Sequence, residues 1–152
     1  MRRKEKEITD ALEIERILSD AEVCCLAMSD LDGLPYNLPM FYGYADGHLY
    51  LHSAKTGLKL DVLRKNPKVC FTVWNRLVIK PGDIACRWGA AYESVIGLGQ
   101  AKIIEENTEK RNGLKSLMKH YSDNAFDFSE KELDAVLIID VKIESLTGKR
   151  SG

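Results

Sequence analysis

A succession of tight turns between short alternating segments is the feature that most constrains the fold of this chain. Residues 30–33 and 46–47 combine aspartate with glycine, as tight turns do. Two prolines disfavour helix in residues 35–44, so that segment is predicted to be extended. Residues 23–29 are β-like, and residues 48–53 alternate apolar and polar side chains. These segments predict a three-stranded antiparallel meander.

The rest of the chain adds further strands and a few helices. Asp10 and Glu13 have the spacing of a capping box, which predicts a helix over residues 10–20. The residue before Pro67 is disfavoured in the α region, so a helix over residues 58–65 must end there. Periodicity also predicts strands over residues 69–74, 93–104 and 135–145 and a helix capped by Thr108. Residues 75–92 are predicted to be an irregular excursion of the kind that often covers a site.

About six strands, most of them joined as hairpins, favour a mainly β fold with flanking helices. An open six-stranded sheet would expose two edges, so we expect the antiparallel sheet to close into a barrel. Gly97 and Gly99 interrupt the strand over residues 93–104, where they would permit a bulge, a bend or the close approach of a flat ligand.

Composition limits the possible partners. The chain has 152 residues, of which 45% are hydrophobic, and this predicts one domain over residues 1–152 with a sizeable core. A formal net charge of -1 and the lack of a basic stripe argue against nucleic acid. No apolar run approaches the ~20 residues of a membrane span, so we expect a soluble, cytoplasmic protein.

The cysteines and histidines do not have the spacing of metal ligands. Cys24, Cys25, Cys70 and Cys86 include no Cys-x-x-Cys pair and no regular disulfide framework. Cys25 and Cys70 lie in apolar strand patterns and are predicted to be small core residues. The three histidines are scattered, so no zinc site is predicted.

One stretch, residues 52–67, has the pattern of a phosphate-binding turn. A strand ends in a small, polar turn that contains glycine, and a short helix follows at once. An anion bound there would contact free backbone N–H groups and the positive end of the helix dipole. Lys59, in the first helical turn, would add a full charge. Many surface helices also begin with Thr-Gly and carry a lysine, so the turn alone leaves a purely structural role open.

The order of these features resembles the split-barrel flavoproteins, which include the pyridoxamine 5′-phosphate oxidases and the nitroimidazole-resistance (Nim-type) proteins. The resemblance covers nearly the whole chain. Its residues form four groups: 37–42 (Asn-Leu-Pro-Met-Phe-Tyr), 52–59 (His-Ser-Ala-Lys-Thr-Gly-Leu-Lys), 64–67 (Arg-Lys-Asn-Pro) and 92–101 (Tyr-Glu-Ser-Val-Ile-Gly-Leu-Gly-Gln-Ala).

The resemblance implies a six-stranded antiparallel split β-barrel that binds FMN, with FAD possible, at the interface of a homodimer. By matching position, the backbone of residues 38–41 would run beside the flavin ring, Ser53 and Lys59 would hold the phosphate, and Ser94 would approach from the glycine-containing strand. His52 would lie near the flavin as a proton donor, or would be an ordinary hydrogen-bonded strand residue. The cofactor-binding set is Leu38, Pro39, Met40, Phe41, His52, Ser53, Lys59 and Ser94.

Departures from the oxidase pattern argue against true pyridoxamine phosphate oxidation. Asn37 and Leu58 stand where those oxidases carry arginines, so the phosphate-binding site of this chain has less positive charge. Their C-terminal Arg-x-His element is also missing from the segment Leu-Thr-Gly-Lys-Arg-Ser-Gly. Met28, Cys86 and the Tyr-Glu-Ser-Val-Ile-Gly run resemble the Nim-type branch more closely.

The resemblance therefore implies a flavin-dependent oxidoreductase that reduces a small oxidised or nitroaromatic compound, with NAD(P)H or another reductant as electron donor. Two alternatives remain at this point: a non-catalytic flavin-binding or sensing protein, and a haem-binding split barrel with His52 as an axial ligand. Trp88 and Tyr92 could stack on the ring or fill an interface, and Cys86 could be redox-active or simply packed.

Overall fold

An antiparallel sheet with flanking helices forms the protein, seen in a computed structural model that describes residues 3–152. Eight strands and four α-helices lie within these residues. The strands are β1 (Glu7–Ile8), β2 (Cys24–Ser29), β3 (Pro35–Met40), β4 (Gly43–Ala45), β5 (His48–Ser53), β6 (Lys68–Lys80), β7 (Gly89–Ile104) and β8 (Leu137–Ser151). The helices are α1 (Ala11–Asp20), α2 (Leu58–Lys65), α3 (Asn107–Lys119) and α4 (Glu130–Ala135), and short 3-10 turns occupy Lys4–Lys6 and Ala85–Arg87.

The strand order is β3-β2-β6-β7-β8-β5-β4, with β1 added to β8. The two ends of this path, β3 and β4, are joined by only Phe41 and Tyr42, so the sheet curls until its ends meet there. This confirms the predicted mainly β split barrel, with eight strands in place of six. Both hairpins of the predicted meander are present, as β2–β3 and β4–β5. Its middle segment is not one strand, because it breaks at Phe41 and Tyr42 and its two parts lie at opposite ends of the strand order.

The irregular segment predicted over residues 75–92 is largely regular. β6 continues to Lys80 and β7 begins at Gly89, and the two pair as Val78↔Ala91 and Lys80↔Gly89 beyond a register shift. The resulting hairpin arm, residues 76–89, carries exposed apolar side chains on consecutive positions, including Leu77, Val78 and Ile79. Without alternation, the sequence gives no period-2 signal for a strand there.

The helix boundaries follow local stop and start signals. α2 begins and ends as predicted, because Asn66 before Pro67 adopts extended backbone. Asp10 caps α1 by accepting from the Leu12 N–H, but Glu13 contacts arginines instead of completing a capping box. None of the helices in residues 3–152 combines the length and apolarity needed to cross a bilayer.

One predicted helix cap in the C-terminal half is wrong and one helix was not predicted. The cap of α3 is Glu106, whose carboxylate accepts from the Glu109 N–H, and not Thr108. The short helix α4 directly precedes the last strand, and its capping box is formed by Ser129 and Glu132. The buried Lys110 then donates to the carbonyls of Leu133 and Val136 at the end of α4.

The core lies inside the curled sheet and is closed by α1 and α2. Ile17 and Leu18 of α1 and Leu60 and Leu63 of α2 are buried among the inward side chains of the strands. These apolar residues hold the two helices to the barrel through hydrophobic burial.

The prediction that Cys25 and Cys70 are core residues is wrong, and the buried cysteine of β2 is the preceding residue, Cys24. Cys24 is fully buried, whereas Cys25 and Cys70 are half-buried on the outer side of the sheet. Successive strand residues face opposite sides, and Cys24 shares its side with Leu26 and Met28.

The two strand glycines make room for other groups of this chain. A Cβ on Gly97 would overlap the ring of Phe71 in the core. A Cβ on Gly99 would overlap the Lys142 carbonyl, next to a register shift between Leu98 and Gly99. The predicted bulge is present, and both glycines face the core and not a ligand.

A buried carboxylate ties α1 to the end of the barrel. The Glu93 side chain is only 6% exposed and contacts Arg16 of α1 at 2.6 Å and Arg150 of β8 at 2.8 Å. Burial by itself would raise the pKa of Glu93, but hydrogen bonds from Arg16 and Arg150 outweigh it and hold the pKa below its ordinary value. Glu93 therefore stays ionised and stabilises the fold as the shared partner of both arginines.

We expect Glu93→Gln to lower the free energy of unfolding by about 1–3 kcal/mol at neutral pH, since two arginines lose a buried charged partner. The depressed pKa makes this contribution complete above the unfolded-state value of about 4.3, and it is lost as the pH falls through the folded-state value. Urea unfolding at neutral and acid pH measures both effects. Asp83→Asn, which removes an exposed ion pair with Arg87, is the control and should change stability by less than about 1 kcal/mol. Equal losses in the two variants would contradict the assignment.

Candidate functional site

The turn between β5 and α2 leaves an open helix N-terminus. Gly57 is the N-cap of α2, has φ 133° and supplies no side chain to the first N–H groups. Its carbonyl accepts from the Leu60 and Asp61 N–H groups and so starts the helix. The Leu58 and Lys59 N–H groups, with the positive end of the helix dipole, therefore remain available to an anion.

Ser53 and Lys59 lie on either side of this turn, as predicted. Ser53 ends β5, is only 2% exposed, and its hydroxyl donates to the Ala54 carbonyl at 2.9 Å. Lys59 is half-buried in the first turn of α2. The ammonium and the helix terminus together provide positive potential at one end of the barrel.

β3 presents an unpaired edge. It pairs with β2 on one side, and within residues 3–152 no strand pairs with its other side. Pro35 and Pro39 have no N–H and cannot donate a hydrogen bond to β2. In a strand, alternate residues turn their backbone N–H and C=O to the same edge, so the backbone groups of Pro35, Asn37 and Pro39 face the free edge of β3. The free edge of β3 therefore presents the carbonyls of Pro35, Asn37 and Pro39 and the Asn37 N–H to a ligand.

Tyr121 fixes the backbone where β3 ends. Its hydroxyl accepts from the Tyr42 N–H at 3.0 Å and donates to the Glu22 carbonyl at 2.7 Å. Its ring lies edge-on to the exposed Phe41 ring at 5.5 Å. The sequence prediction missed this contact, because Tyr121 lies beyond the end of α3 and 79 positions from Tyr42.

The outer side of β2, β6 and β7 is an uncovered surface, which we call the open face. Trp74, Ile96 and Leu98 on this side are 42%, 45% and 52% exposed. In register, Trp74 is opposite Ser94, and Thr72 is opposite Ile96. The open face consists of Cys25, Ala27, Cys70, Thr72, Trp74, Ser94, Ile96 and Leu98.

Ser94 is not brought to the phosphate-binding turn, and His52, at the start of that turn, faces away from the side of Ser53. His52 is exposed on the outer side of β5, whereas its neighbour Ser53 faces inward. Ser94 is opposite Lys149 on β8, and Ser53 is opposite Leu137. The 12 steps of β8 between Leu137 and Lys149 correspond to about 40 Å of extended chain at ~3.3 Å per residue. One chain thus carries two separate halves of the predicted site.

No three His, Cys, Asp or Glu side chains within residues 3–152 form a group that could hold a metal ion. The chemistry of the described surface is that of an anion-binding helix terminus, a free strand edge and an apolar face.

Comparison with known proteins identifies the family. A model of the pyridoxamine 5′-phosphate oxidase family matches residues 10–150. A solved structure of a candidate 5-nitroimidazole antibiotic resistance protein from Bacteroides thetaiotaomicron is 33% identical, with a TM-score of 0.84, and the match covers 95% of this chain and 86% of that one. A comparison with curated protein sequences found no match.

Two further structures have the same fold. An FAD-binding protein from Mesorhizobium loti is 25% identical, with a TM-score of 0.68 over 94% of this chain and 96% of that one. An FAD and haem binding protein from Mycobacterium smegmatis is 20% identical, with a TM-score of 0.84, and the match covers 96% of this chain and 73% of that one. Because the family model spans nearly the whole chain and a 33% identical structure matches it almost end to end, this chain belongs to the pyridoxamine 5′-phosphate oxidase family of flavin-binding split-barrel proteins.

Proposed function

We propose that this chain binds FMN and is a flavin-dependent oxidoreductase that reduces a small oxidised or nitroaromatic compound, with NAD(P)H as the electron donor. The observation that carries the proposal is the uncapped N-terminus of α2 with Lys59 beside it, in a chain that also has a free β3 edge. The 33% identity to a candidate 5-nitroimidazole resistance protein supports the substrate class.

The described residues fit the parts of a flavin nucleotide. The first N–H groups of α2 and the Lys59 ammonium suit a phosphate dianion, which needs several donors and a positive charge. The free β3 edge offers the Asn37 N–H as donor and the Asn37 and Pro39 carbonyls as acceptors to the pyrimidine edge of the ring. The exposed Leu58 adds no charge, so Lys59, Ser53 and the helix terminus would hold the phosphate.

The bound flavin would supply the hydride and electron chemistry, and the chain's own residues would bind and orient the reactants. Ser53 and Lys59 would fix the phosphate. Tyr121 would hold the Phe41–Tyr42 backbone in place along the ring through its hydrogen bond to the Tyr42 N–H. His52, exposed beside Ser53, would donate a proton to a substrate that approaches the outer side of β5.

We also propose that two copies form a homodimer through the open face. Large exposed apolar patches usually mark contacts with another molecule, and Trp74, Ile96 and Leu98 continue toward the apolar hairpin arm. A twofold axis would bring Ser94 of one copy toward the phosphate-binding turn of the other and would build two equal sites. The free state of all four cysteines agrees with a reducing compartment, which supports the cytoplasm as the location.

An absorption spectrum of the purified protein tests the cofactor. Flavin bands with FMN released on denaturation would support the proposal, whereas released FAD would replace FMN with the larger nucleotide. A Soret band without flavin bands would overturn the proposal in favour of haem. Steady NAD(P)H consumption with a nitroimidazole would then separate an oxidoreductase from a flavin-binding sensor, which would show none.

We expect Lys59→Ala to weaken flavin binding without unfolding the protein. A charge-assisted contact contributes about 1.5–3 kcal/mol, or roughly ten- to a hundredfold in affinity. Titration of flavin into apoprotein measures the change. Lys65→Ala, which removes an exposed lysine from the last turn of the same helix, is the control and should leave the affinity unchanged. The same affinity for Lys59→Ala and wild type would remove Lys59 from the site.

Light scattering on dilute holoprotein should give about 34 kDa, twice the 17.1 kDa chain. Flavin should also stabilise the pair by mass action, because it binds only the assembled site. A 17 kDa species that retains its flavin would show that one chain suffices.

A further inference from the structure

The segment between α3 and α4, residues 120–129, forms an arch that is fixed near both ends. Near its start, the Tyr121 hydroxyl donates to the Glu22 carbonyl at 2.7 Å. Near its end, the Phe128 carbonyl accepts from the Arg111 guanidinium of α3. Because hydrogen bonds to other elements fix both ends, the residues between them are held away from the side of α3 that they face.

A cavity of about 330 Å³ lies between the arch and α3. Its volume is within the range of ligand-binding cavities, which runs from about 300 to 1,000 Å³. Met118 of α3 and Ala125 and Phe126 of the arch give it a mainly apolar lining. A cavity that is already formed binds a ligand without the cost of first ordering the chain around it.

The charged groups around the cavity balance one another. Lys115 of α3 and Asp127 of the arch form an ion pair at 3.9 Å. Lys119 and Asp123 add one charge of each sign to the lining, and all four side chains are exposed to solvent. A charged ligand would lose hydration on entering and would gain no unopposed charge in return, so the cavity favours an uncharged ligand.

One polar group of the lining has a hydrogen to give to a ligand. The Ser122 hydroxyl accepts from the Asn124 N–H at 3.1 Å, and within residues 3–152 it donates to no other group of the chain. A hydroxyl is one donor and two acceptors, so its donor remains free. The Met118 thioether and the Phe126 ring favour an aromatic ligand, because both groups make favourable contacts with a ring.

We propose that this cavity is a binding site for a small, uncharged aromatic compound. The ring of the compound lies between Met118 and Phe126, and its polar group accepts from the Ser122 hydroxyl. None of the lining residues belongs to the phosphate-binding turn, the β3 edge or the open face. The site is therefore separate from the groups assigned to the flavin and to the second copy, and the inference does not depend on the proposed function.

Calorimetric titration of the purified protein with 2-naphthylmethanol, and with 2-naphthoate as a charged compound of the same ring system, measures affinity and ligand class together. Wild type should bind 2-naphthylmethanol, and 2-naphthoate at least several-fold more weakly. Phe126→Ala should weaken binding of 2-naphthylmethanol by about tenfold, since the ligand loses its aromatic contact. Ala125→Trp should abolish binding, because the larger side chain fills the cavity, while the exposed position keeps the thermal unfolding unchanged.

Phe128→Ala is the matched control, because it removes the same ring from the same segment at a position outside the cavity lining. It should leave the affinity within about twofold of wild type. Unchanged binding in Phe126→Ala or Ala125→Trp, a preference for 2-naphthoate, or no binding by wild type would each overturn the proposal. Release of bound flavin as 2-naphthylmethanol binds would also overturn it, because the compound would then occupy the flavin site.

Discussion

The alternation of side chains along β6, β7 and β8 is the constraint on which the rest of the structure depends. Each of these strands has 13 to 16 residues, and in the part that forms the barrel every second side chain enters the closed core. Phe71 and Val95 fill that core, and Gly97 is small because the Phe71 ring occupies its place. The remaining side chains must face outward, and there Trp74, Ile96 and Leu98 are left without cover. The same alternation that closes the barrel therefore creates the open face.

The elements that could be predicted from the sequence are those whose side chains alternate regularly or whose end is fixed by a residue such as proline. β5 and α2 have the predicted bounds, because His48–Ser53 alternates strictly and Pro67 ends the helix. The hairpin arm was not predicted, since its consecutive apolar residues are exposed on both sides and have no period. α4 was missed because it is only six residues long, and its capping box lies next to a strongly β-like run. The error at Cys24 and Cys25 has a simple cause: two identical neighbours give no indication of which one faces inward.

The candidate site was predicted in part. The turn with Ser53 and Lys59 could be found because its residues are close in sequence and its chemistry depends on a helix terminus. The separation of Ser94 from that turn depends on strand register, which a single sequence does not specify. The free edge of β3 could be predicted in part, since Pro35 and Pro39 lack the N–H groups that a strand paired on both sides needs.

A mixed dimer tests whether the flavin site consists of halves from two copies. Lys59→Ala and Ser94→Trp, carried on differently tagged chains and purified through both tags, would give one site with both defects and one site with none. Each variant homodimer should lose tight flavin binding, while the mixed dimer should bind one flavin with wild-type affinity. If both halves came from one chain, each site of the mixed dimer would carry a single defect, and neither would bind tightly. Loss of both sites in a folded mixed dimer would therefore show that a single chain supplies the whole site.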